Sequence, residues 1–307
     1  MNAITDTSAW PPQAEQPFEV AQLWVYPIKS CAGIRVASSR LLATGLEWDR
    51  TWMVVDASGR FVSQRELPRM ALVQPSFRLG QLVLRAPGML ALHLQLDAAE
   101  APTRVRVWDD ELDAYDMGDV AAQWFSDFLA PGAPAHLQRL RLARFDPEVS
   151  RLSSLKWTGG AQAPNQFGDG YPLLVTSATA LDGLNQRLAE AGVPAVDHRR
   201  FRPNLVLAGI APHDEDLFGE LYLGDPAQGA PAAQLGLVKP CARCSIPDVD
   251  PDTAGTGTAV AQALSAYRAD ARLEGAITYG MNAIVRAGAE AVLREGQGGL
   301  ATWAGLD

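Results

Sequence analysis

VAQLWVYPI, residues 20–28, begins a run of short segments that decides the fold class. The segments that follow are also rich in β-branched or aromatic side chains: IRVASSRLLAT (34–44), RTWMVVDASG (50–59) and RFVSQRE (60–66). Gly, Pro and Asp residues separate these segments, which is typical of strands joined by tight turns. Asp56 to Gly59 predicts one such turn, in a hairpin. Closely spaced strands of this kind favour a barrel-like or sandwich sheet.

Further strands and a few helices are predicted beyond this run. The strand pattern continues in LVLRAP and RVRVWDD, and it returns in FRPNLVLAG, LYLGD, AQLGLVKP and residues 280–293. Apolar residues at helical spacing predict helices over 119–129, 179–191 and near 258–269. The hydroxyls in Thr176-Ser177-Ala178-Thr179 suit the N-terminal cap of the second helix. We therefore expect a mainly β protein with some helices.

The domain organisation is inferred from where these patterns stop. Residues 1–16 carry two adjacent prolines and no apolar period, so a flexible tail is expected there. Residues 139–166 mix basic residues, Pro and Gly without a clear period, which indicates a domain boundary. The sequence thus predicts an N-terminal β-barrel-like domain over 17–140 and a second β-barrel domain over 150–303.

The charge balance restricts the kinds of ligand. The chain has 26 Lys and Arg residues against 35 Asp and Glu residues, a net charge of −9. This disfavours binding of a nucleic-acid polymer by the surface as a whole, so any anion needs a local basic pocket. The N-terminal residues lack the apolar run of a secretory signal, and no stretch approaches the roughly 20 apolar residues that span a bilayer. Together with the low cysteine count, these features predict a soluble cytoplasmic protein that does not bind membranes.

Two of the three cysteines, Cys241 and Cys244, form the pair CARC, which allows several interpretations. A zinc site normally needs four ligands, and neither Cys31 nor the four histidines form a second paired motif. A redox dithiol usually opens a helix, which the prolines that follow disfavour. Two buried structural cysteines are the plain alternative. A metal thiolate at Cys244 is favoured by Arg243, since a neighbouring cation stabilises the thiolate that ligates metals.

The segment KPCARCSIPDVDPDT (239–253) is similar to the signature of MOSC domains, in which the second cysteine ligates molybdenum. Two earlier segments resemble the β-barrel domain that precedes MOSC in the mitochondrial amidoxime-reducing component and its bacterial relatives: LWVYPIKSCAGI (23–34) and WDRTWMVVDASGRFVSQRELPRMALV (48–73). FGDGYPLLVTSATALDGLNQRL (167–188) and HRRFRPNLVLAG (198–209) resemble the MOSC portion that follows, in the same order. The resemblance spans about residues 19–300.

The resemblance implies a bound molybdenum cofactor, a molybdopterin that carries a dithiolene and a phosphate. It implies that Cys244 is the metal ligand, with Arg243 as a catalytic residue beside it; either Arg243 or a cofactor-bound water could assist proton delivery. The cofactor-binding positions that it implies are Lys29, Ser30, Arg50, Thr176, Ser177, Arg202, Asn204, Arg243 and Cys244. Lys and Arg suit a phosphate, hydroxyls at a helix start can add donors, and an Asn amide offers both polarities to a heterocycle.

The activity that the resemblance implies is reduction of the N–O bond of a small N-hydroxylated substrate, an amidoxime or an N-hydroxylated base. Electrons would come from a separate flavin or iron–sulfur protein, because the chain lacks the four cysteines of a plant-type ferredoxin domain. The alternatives are a carrier of the cofactor or of sulfur, without turnover, and a structural protein without metal. Ile246-Pro247-Asp248 and Ala254 depart from the usual apolar-Thr-Thr run and glycine of the family, so substrate preference stays open.

Overall fold

The computed structural model describes residues 10–98 and 100–305. The first nine residues of the predicted flexible tail lie outside the described residues. The rest of that segment lies against the protein: the Trp10 ring is centred 6.5 Å from the Tyr222 ring, and the Glu15 backbone N–H donates to the Ala301 carbonyl at 3.1 Å.

Nineteen strands and four α-helices make up the described part of the chain. The strands are β1 (Gln16–Val25), β2 (Ile34–Arg35), β3 (Ser38–Leu42), β4 (Gly45–Leu46), β5 (Trp52–Asp56), β6 (Gln74–Arg78), β7 (Gln81–Arg85), β8 (Leu92–Gln95), β9 (Ala101–Val107), β10 (Asp110–Asp116), β11 (Leu140–Phe145), β12 (Leu173–Ser177), β13 (Leu205–Ala208), β14 (Phe218–Leu223), β15 (Ala233–Ala242), β16 (Ala269–Asp270), β17 (Ala276–Ala287), β18 (Val292–Arg294) and β19 (Gly298–Trp303). The helices are α1 (Gly118–Leu129), α2 (Leu155–Thr158), α3 (Ala178–Glu190) and α4 (Ala259–Ser265). The predicted fold class, mainly β with some helices, is confirmed.

Seven of the strands close into a barrel, in the order β12-β13-β1-β19-β14-β15-β17, and β17 pairs back with β12. An odd number of strands cannot alternate in direction around a ring, and the parallel pair is β12 with β13. Every other neighbouring pair in the ring is antiparallel. Alternate side chains fill the interior, among them Val20, Leu23, Val175, Leu205 and Leu221. Because the ring is closed, each of these strands is hydrogen-bonded to a neighbour on both edges.

Strand β1 completes this barrel, although the other six strands begin at or after Leu173. It lies between β13, in the register Leu23 with Leu205, and β19, in the register Phe18 with Gly299. The first part of the chain therefore enters the barrel of the second. The division into domains at 17–140 and 150–303 stays a prediction.

The remaining strands of the first part form smaller sheets. Strands β5-β11-β10-β9 make a four-stranded sheet, and Phe125 of α1 packs in the same core as Val54 and Leu142. Strand β11 lies inside residues 139–166, where no element was predicted. Its alternation, with Leu140 and Leu142 buried and an arginine between them, is a strand signal that the basic residues of the region obscured.

The predicted helices and hairpin are found close to their expected positions. Helices α1 and α3 each begin one residue before the predicted start, whereas α4 ends four residues before the predicted end. The Gly59 N–H donates to the Asp56 carbonyl at 3.0 Å, and Val55 pairs antiparallel with Phe61, which confirms the hairpin turn. Within residues 10–98 and 100–305, no helix has the length and apolar character to cross a membrane.

Candidate active site

A cleft opens between the barrel and segments from the first part of the chain. Strands β12, β15 and β17 each contribute lining residues, together with the loops that precede β5, β12 and β13. The space in it, including its open mouth, is about 830 Å³. Seven of the nine cofactor-binding residues implied by the sequence line this cleft: Lys29, Ser30, Arg50, Arg202, Asn204, Arg243 and Cys244.

The lining of the cleft is strongly basic. Among residues 10–98 and 100–305 it carries five cationic side chains and a single carboxylate, whereas the chain as a whole has a net charge of −9. The cations are Lys29, Arg50, Arg65, Arg202 and Arg243, and the carboxylate is Asp169. The cleft is therefore a local basic pocket of the kind that an anion requires on an acidic protein.

Lys29 is held in place by the loop that precedes β12. Only 5% of its surface is exposed, and its Nζ donates to the Phe167 carbonyl at 2.9 Å and to Asp169 Oδ1 at 2.6 Å. Burial lowers the pKa of Lys29, and the neighbouring Asp169 carboxylate opposes that shift. The following residue, Ser30, has a φ of 66°, and its carbonyl accepts a hydrogen bond from Gln64 Nε2 at 2.7 Å.

Arg50 and Arg202 pack against the ring of Tyr26. Their guanidinium carbons lie 4.5 and 4.3 Å from its centroid. Arg50 pairs with Asp49 and donates to the Arg202 carbonyl at 3.1 Å, while Arg202 donates to the Cys31 carbonyl. Burial lowers the pKa of Arg202 to about 10, with a further contribution from the charge of Arg50. Arg202 therefore keeps its charge at neutral pH.

The guanidinium of Arg202 includes a buried donor nitrogen. Arg202 Nη2 is buried and has no hydrogen-bond partner in the described part of the chain. Arg50 and Arg202 also have positive φ angles, 50° and 60°. Left-handed backbone at residues other than glycine costs of order 1–3 kcal/mol and is concentrated at functional sites.

Asn204 stabilises the backbone and side chains that surround the cleft. It is 1% exposed, its Oδ1 accepts from the Leu174 N–H at 3.1 Å and from Arg50 Nη1 at 3.2 Å, and its Nδ2 donates to the Trp24 carbonyl at 3.1 Å. The amide oxygen therefore already holds β12 and Arg50 in place. A contact of Asn204 with a heterocycle stays a prediction.

Cys244 is an exposed thiol between the end of β15 and a short 3₁₀ turn, Ile246–Asp248. The guanidinium of Arg243 points elsewhere: its Nη1 lies 3.0 Å from the sulfur of Cys241, and its Nη2 donates to the Phe201 carbonyl at 2.9 Å. Arg243 and Cys244 are neighbours in sequence, but the guanidinium does not contact the Cys244 thiol. The prediction that Arg243 stabilises the Cys244 thiolate is therefore not supported by this geometry. Arg243 Nε is buried and without a partner among the described residues.

Cys31 has the properties of a core residue. It is fully buried, and burial raises the pKa of its thiol to about 12.

A metal site formed by several side chains has no candidate: residues 10–98 and 100–305 contain no group of three or more His, Cys, Asp or Glu side chains placed to bind a metal ion.

Thr176 and Ser177 do not line the cleft. Both are fully buried at the end of β12, and their hydroxyls have no partner among the described residues. Ser177 is the residue before α3, as expected, but neither hydroxyl caps the helix, so that part of the sequence interpretation is wrong. The Ser177 N–H instead donates to Glu215 Oε1 at 3.2 Å. Ser177 therefore contacts a buried carboxylate that is not part of the cleft lining.

The loop that follows Cys244 explains one departure from the family signature. The carboxylate of Asp248 accepts from the Val260 N–H at 2.9 Å and so satisfies the start of α4. Further along, Asp250 Oδ2 pairs with Arg200 at 2.9 Å. The substituted stretch therefore has a structural role beside the thiol.

Ala254, in the same loop, has a φ of 59°. We expect Ala254→Gly to raise the free energy of unfolding by about 0.5–1 kcal/mol, because relief of the left-handed backbone outweighs the chain entropy that glycine adds to the unfolded state. Urea denaturation measures the change. Ala254→Val is the matched control and should be destabilised, since a β-branched residue tolerates positive φ less well. A glycine variant less stable than the parent would contradict this account.

Several lining residues escaped the sequence interpretation: Phe61, Ser63, Arg65, Asp169, Tyr171 and Asn282. Three of them, Phe61, Ser63 and Arg65, lie in RFVSQRE (60–66), and the prediction of a strand there is wrong: Arg60 and Phe61 form isolated bridges and residues 64–66 form a turn. The spacing of these three residues, every second position, was the signal that the sequence offered. Nothing in the sequence around Asp169 shows that it pairs with Lys29.

Comparison with known proteins agrees with the resemblance seen in the sequence. Residues 17–131 match the MOSC N-terminal beta barrel domain, and residues 162–297 match the MOSC domain. The chain is 32% identical over 265 residues to mitochondrial amidoxime-reducing component 1 of Homo sapiens, and the match covers 82% of this chain and 74% of that protein. The chain belongs to the amidoxime-reducing component family.

Two further relatives show the extent of the similarity within this family and beyond it. Mitochondrial amidoxime-reducing component 1 of Mus musculus is 36% identical over 242 residues, which is 76% of this chain and 66% of the mouse protein. Molybdenum cofactor sulfurase of Homo sapiens is 28% identical over 271 residues, 82% of this chain but 29% of the sulfurase. The chain thus spans about two thirds of the mouse amidoxime-reducing component and under a third of the sulfurase. In this family member the cleft takes Lys29 from the first matched segment and Arg202 from the second.

Proposed function

We propose that the chain is a molybdenum-cofactor-dependent oxidoreductase that reduces the N–O bond of small N-hydroxylated compounds. The observation that carries this proposal is the gathering of five cations and an exposed thiol around one cleft on an acidic chain. The names of the relatives support it, since they are amidoxime-reducing components and a molybdenum cofactor sulfurase.

The residues of the cleft fit an anionic cofactor that takes one soft protein ligand. Arg202 Nη2 and Arg243 Nε are buried donors without partners among the described residues. A buried donor left unsatisfied costs about 1–3 kcal/mol, which an acceptor on a ligand would recover. The exposed Cys244 offers a thiolate, a ligand suited to a soft metal centre that carries other sulfur ligands.

The bound cofactor would supply the two-electron redox chemistry. Cys244 would hold the metal, while Lys29, Arg50 and Arg202 would hold the phosphate and offset its charge. Lys29 can bind an added anion without leaving Asp169, because its ammonium group has three N–H donors and the Phe167 carbonyl and Asp169 use two of them. Arg243 is engaged with Cys241 and Phe201, so its free Nε would orient a substrate oxygen by a hydrogen bond; a guanidinium does not readily release its proton. Water would then deliver the protons that the reduction consumes.

The same proposal includes a separate electron-donor protein, of the flavin or iron–sulfur type, and a cytoplasmic location. Such a donor would have to reach the mouth of the cleft, where Arg65 and Asp169 lie.

The proposal is tested with the parent protein expressed in cells with active cofactor synthesis. We expect molybdenum in roughly equimolar amount by elemental analysis, and conversion of an amidoxime to the amidine with a reducing system. Protein from cells that cannot make the cofactor is the control and should have neither. Absence of molybdenum from the parent would refute the proposal. Molybdenum without turnover of any amidoxime or N-hydroxylated base would favour the alternative, a carrier of the cofactor or of sulfur.

A further inference from the structure

We infer that Trp108 and Arg65 form a stacking site for the planar ring of an aromatic substrate at the mouth of the cleft. The inference rests on the proposed function and adds to it the residues that select the substrate. Phe61, Arg65 and Trp108 are called the rim site below.

Trp108 occupies an unusual position for a large aromatic residue. It lies at the tip of the hairpin between β9 and β10, with a φ of 55°. At 44% exposure, a large part of its surface is in solvent. A hairpin tip normally carries Gly, Asn or Asp at such an angle, because a bulky side chain adds backbone strain there. Turn geometry therefore does not explain a tryptophan at this position.

The ring of Trp108 is nevertheless held in a defined orientation. The guanidinium carbon of Arg65 lies 4.8 Å from its centroid and 5.8 Å from that of Phe61. The two aromatic rings are 4.9 Å apart at 57°. Trp108 Nε1 also donates to Asp169 Oδ1 at 3.2 Å. A fixed, partly exposed ring loses little conformational freedom when a ligand stacks on it, which favours binding.

The rim site is continuous with the cleft. Phe61 and Arg65 line the cleft, and they also line the shallow groove that contains Trp108. Asp169 Oδ1 accepts from both Trp108 and Lys29, so one carboxylate oxygen connects the rim to a buried cation of the cleft. A substrate whose reacting group enters the cleft would therefore leave the rest of its body against Trp108.

The chemistry of the rim site favours one class of substrate. An indole ring stacks with planar aromatic rings, and a guanidinium packs on the faces of neutral aromatic rings. The positive charge of Arg65 disfavours cationic substituents. The rim site thus fits neutral aromatic amidoximes and N-hydroxylated heterocycles better than small aliphatic amidoximes.

The test compares Trp108→Ala with the parent on benzamidoxime and acetamidoxime, which differ in the aromatic ring. Loss of stacking should lower kcat/KM for benzamidoxime about tenfold, chiefly through KM, and leave acetamidoxime within about twofold. Trp108→Phe should recover most of the loss. Trp303→Ala is the matched control, since Trp303 is 45% exposed, packs on Phe218 and does not line the cleft, so it should leave the selectivity unchanged.

Equal loss for both substrates, or no loss for either, would overturn the inference. If the parent converts neither amidoxime, the proposed function fails, and calorimetric binding of benzamidoxime to the parent and to Trp108→Ala then decides the inference. Binding about tenfold weaker in the variant supports a stacking site. Equal binding, or no binding to either protein, rejects it.

Discussion

Cys244→Ala is expected to lose its molybdenum and to reduce amidoximes at least about a hundredfold more slowly than the parent, as changes in the residues around a metal ligand already cost 10–100-fold. Cys31 cannot replace it, because it is buried and its thiol has a raised pKa. Cys241 lines the same cleft beside Arg243, so molybdenum retained in the variant would point to Cys241 as the ligand. Elemental analysis of the purified variant and kcat/KM with an amidoxime measure both effects.

Because Cys244 is exposed, the effect of its replacement on metal binding can be separated from an effect on folding. Replacement of an exposed side chain normally changes the free energy of unfolding by no more than about 0.5 kcal/mol, so the variant protein should unfold at the parent's urea concentration when both are compared without cofactor. A loss of stability would instead attribute the effect to misfolding. Full molybdenum content and full activity in Cys244→Ala would show that the metal is held in another way.

The second large effect is a change in how the free energy of unfolding depends on pH. Glu215 is fully buried, and burial, with a further contribution from Asp216, raises the pKa of its carboxyl group to about 7. The folded protein then keeps a proton that the unfolded chain releases above about pH 4.5. The protonated carboxyl group therefore stabilises the folded protein fully below about pH 4.5. As the pH rises to about 7 this stabilisation is lost, and the total loss is about 3 kcal/mol because each pH unit accounts for 1.36 kcal/mol.

Glu215→Gln is expected to remove this slope. The amide stays neutral, can accept from the Ser177 N–H as Glu215 Oε1 does, and offers a donor to the Ser177 hydroxyl. Above pH 7 the variant should exceed the parent in stability by up to about 3 kcal/mol, as measured by urea denaturation from pH 4.5 to 8.5. Glu19→Gln, at an exposed glutamate, is the control and should keep the parental slope. Parallel profiles for Glu215→Gln and the parent would mean that Glu215 is already ionised in the folded protein.

The sequence predicted the elements of the fold better than their pairing. Alternation and turn residues indicated the strands, because both signals are local. The place of β1 between β13 and β19 joins residues far apart in the chain, and no local pattern specifies such a partner. Strand β11 was missed although its alternation is visible, since Arg141 and Arg144 gave the segment the composition of a surface loop.

The candidate site was predictable to the extent that its residues lie in distinctive segments. Lys29, Arg50, Arg202 and Cys244 do so, and the cleft gathers them. The direction of a side chain was not predictable: Thr176 and Ser177 end β12, which lines the cleft, but both are fully buried away from it, and Ser177 contacts Glu215. The contact of Arg243 with Cys241 rather than Cys244 is likewise a matter of rotamer, which spacing along the chain does not determine.

The position of β1 also limits how the gene of this protein could be divided. A fragment that starts after β1 would leave β13 and β19 with open edges, and open edges recruit strands from other molecules. A recombination event that exchanged the first segment alone would have to supply a strand able to match Leu205 on one side and Gly299 on the other. The two matched segments are therefore expected to be inherited together, as one unit of selection.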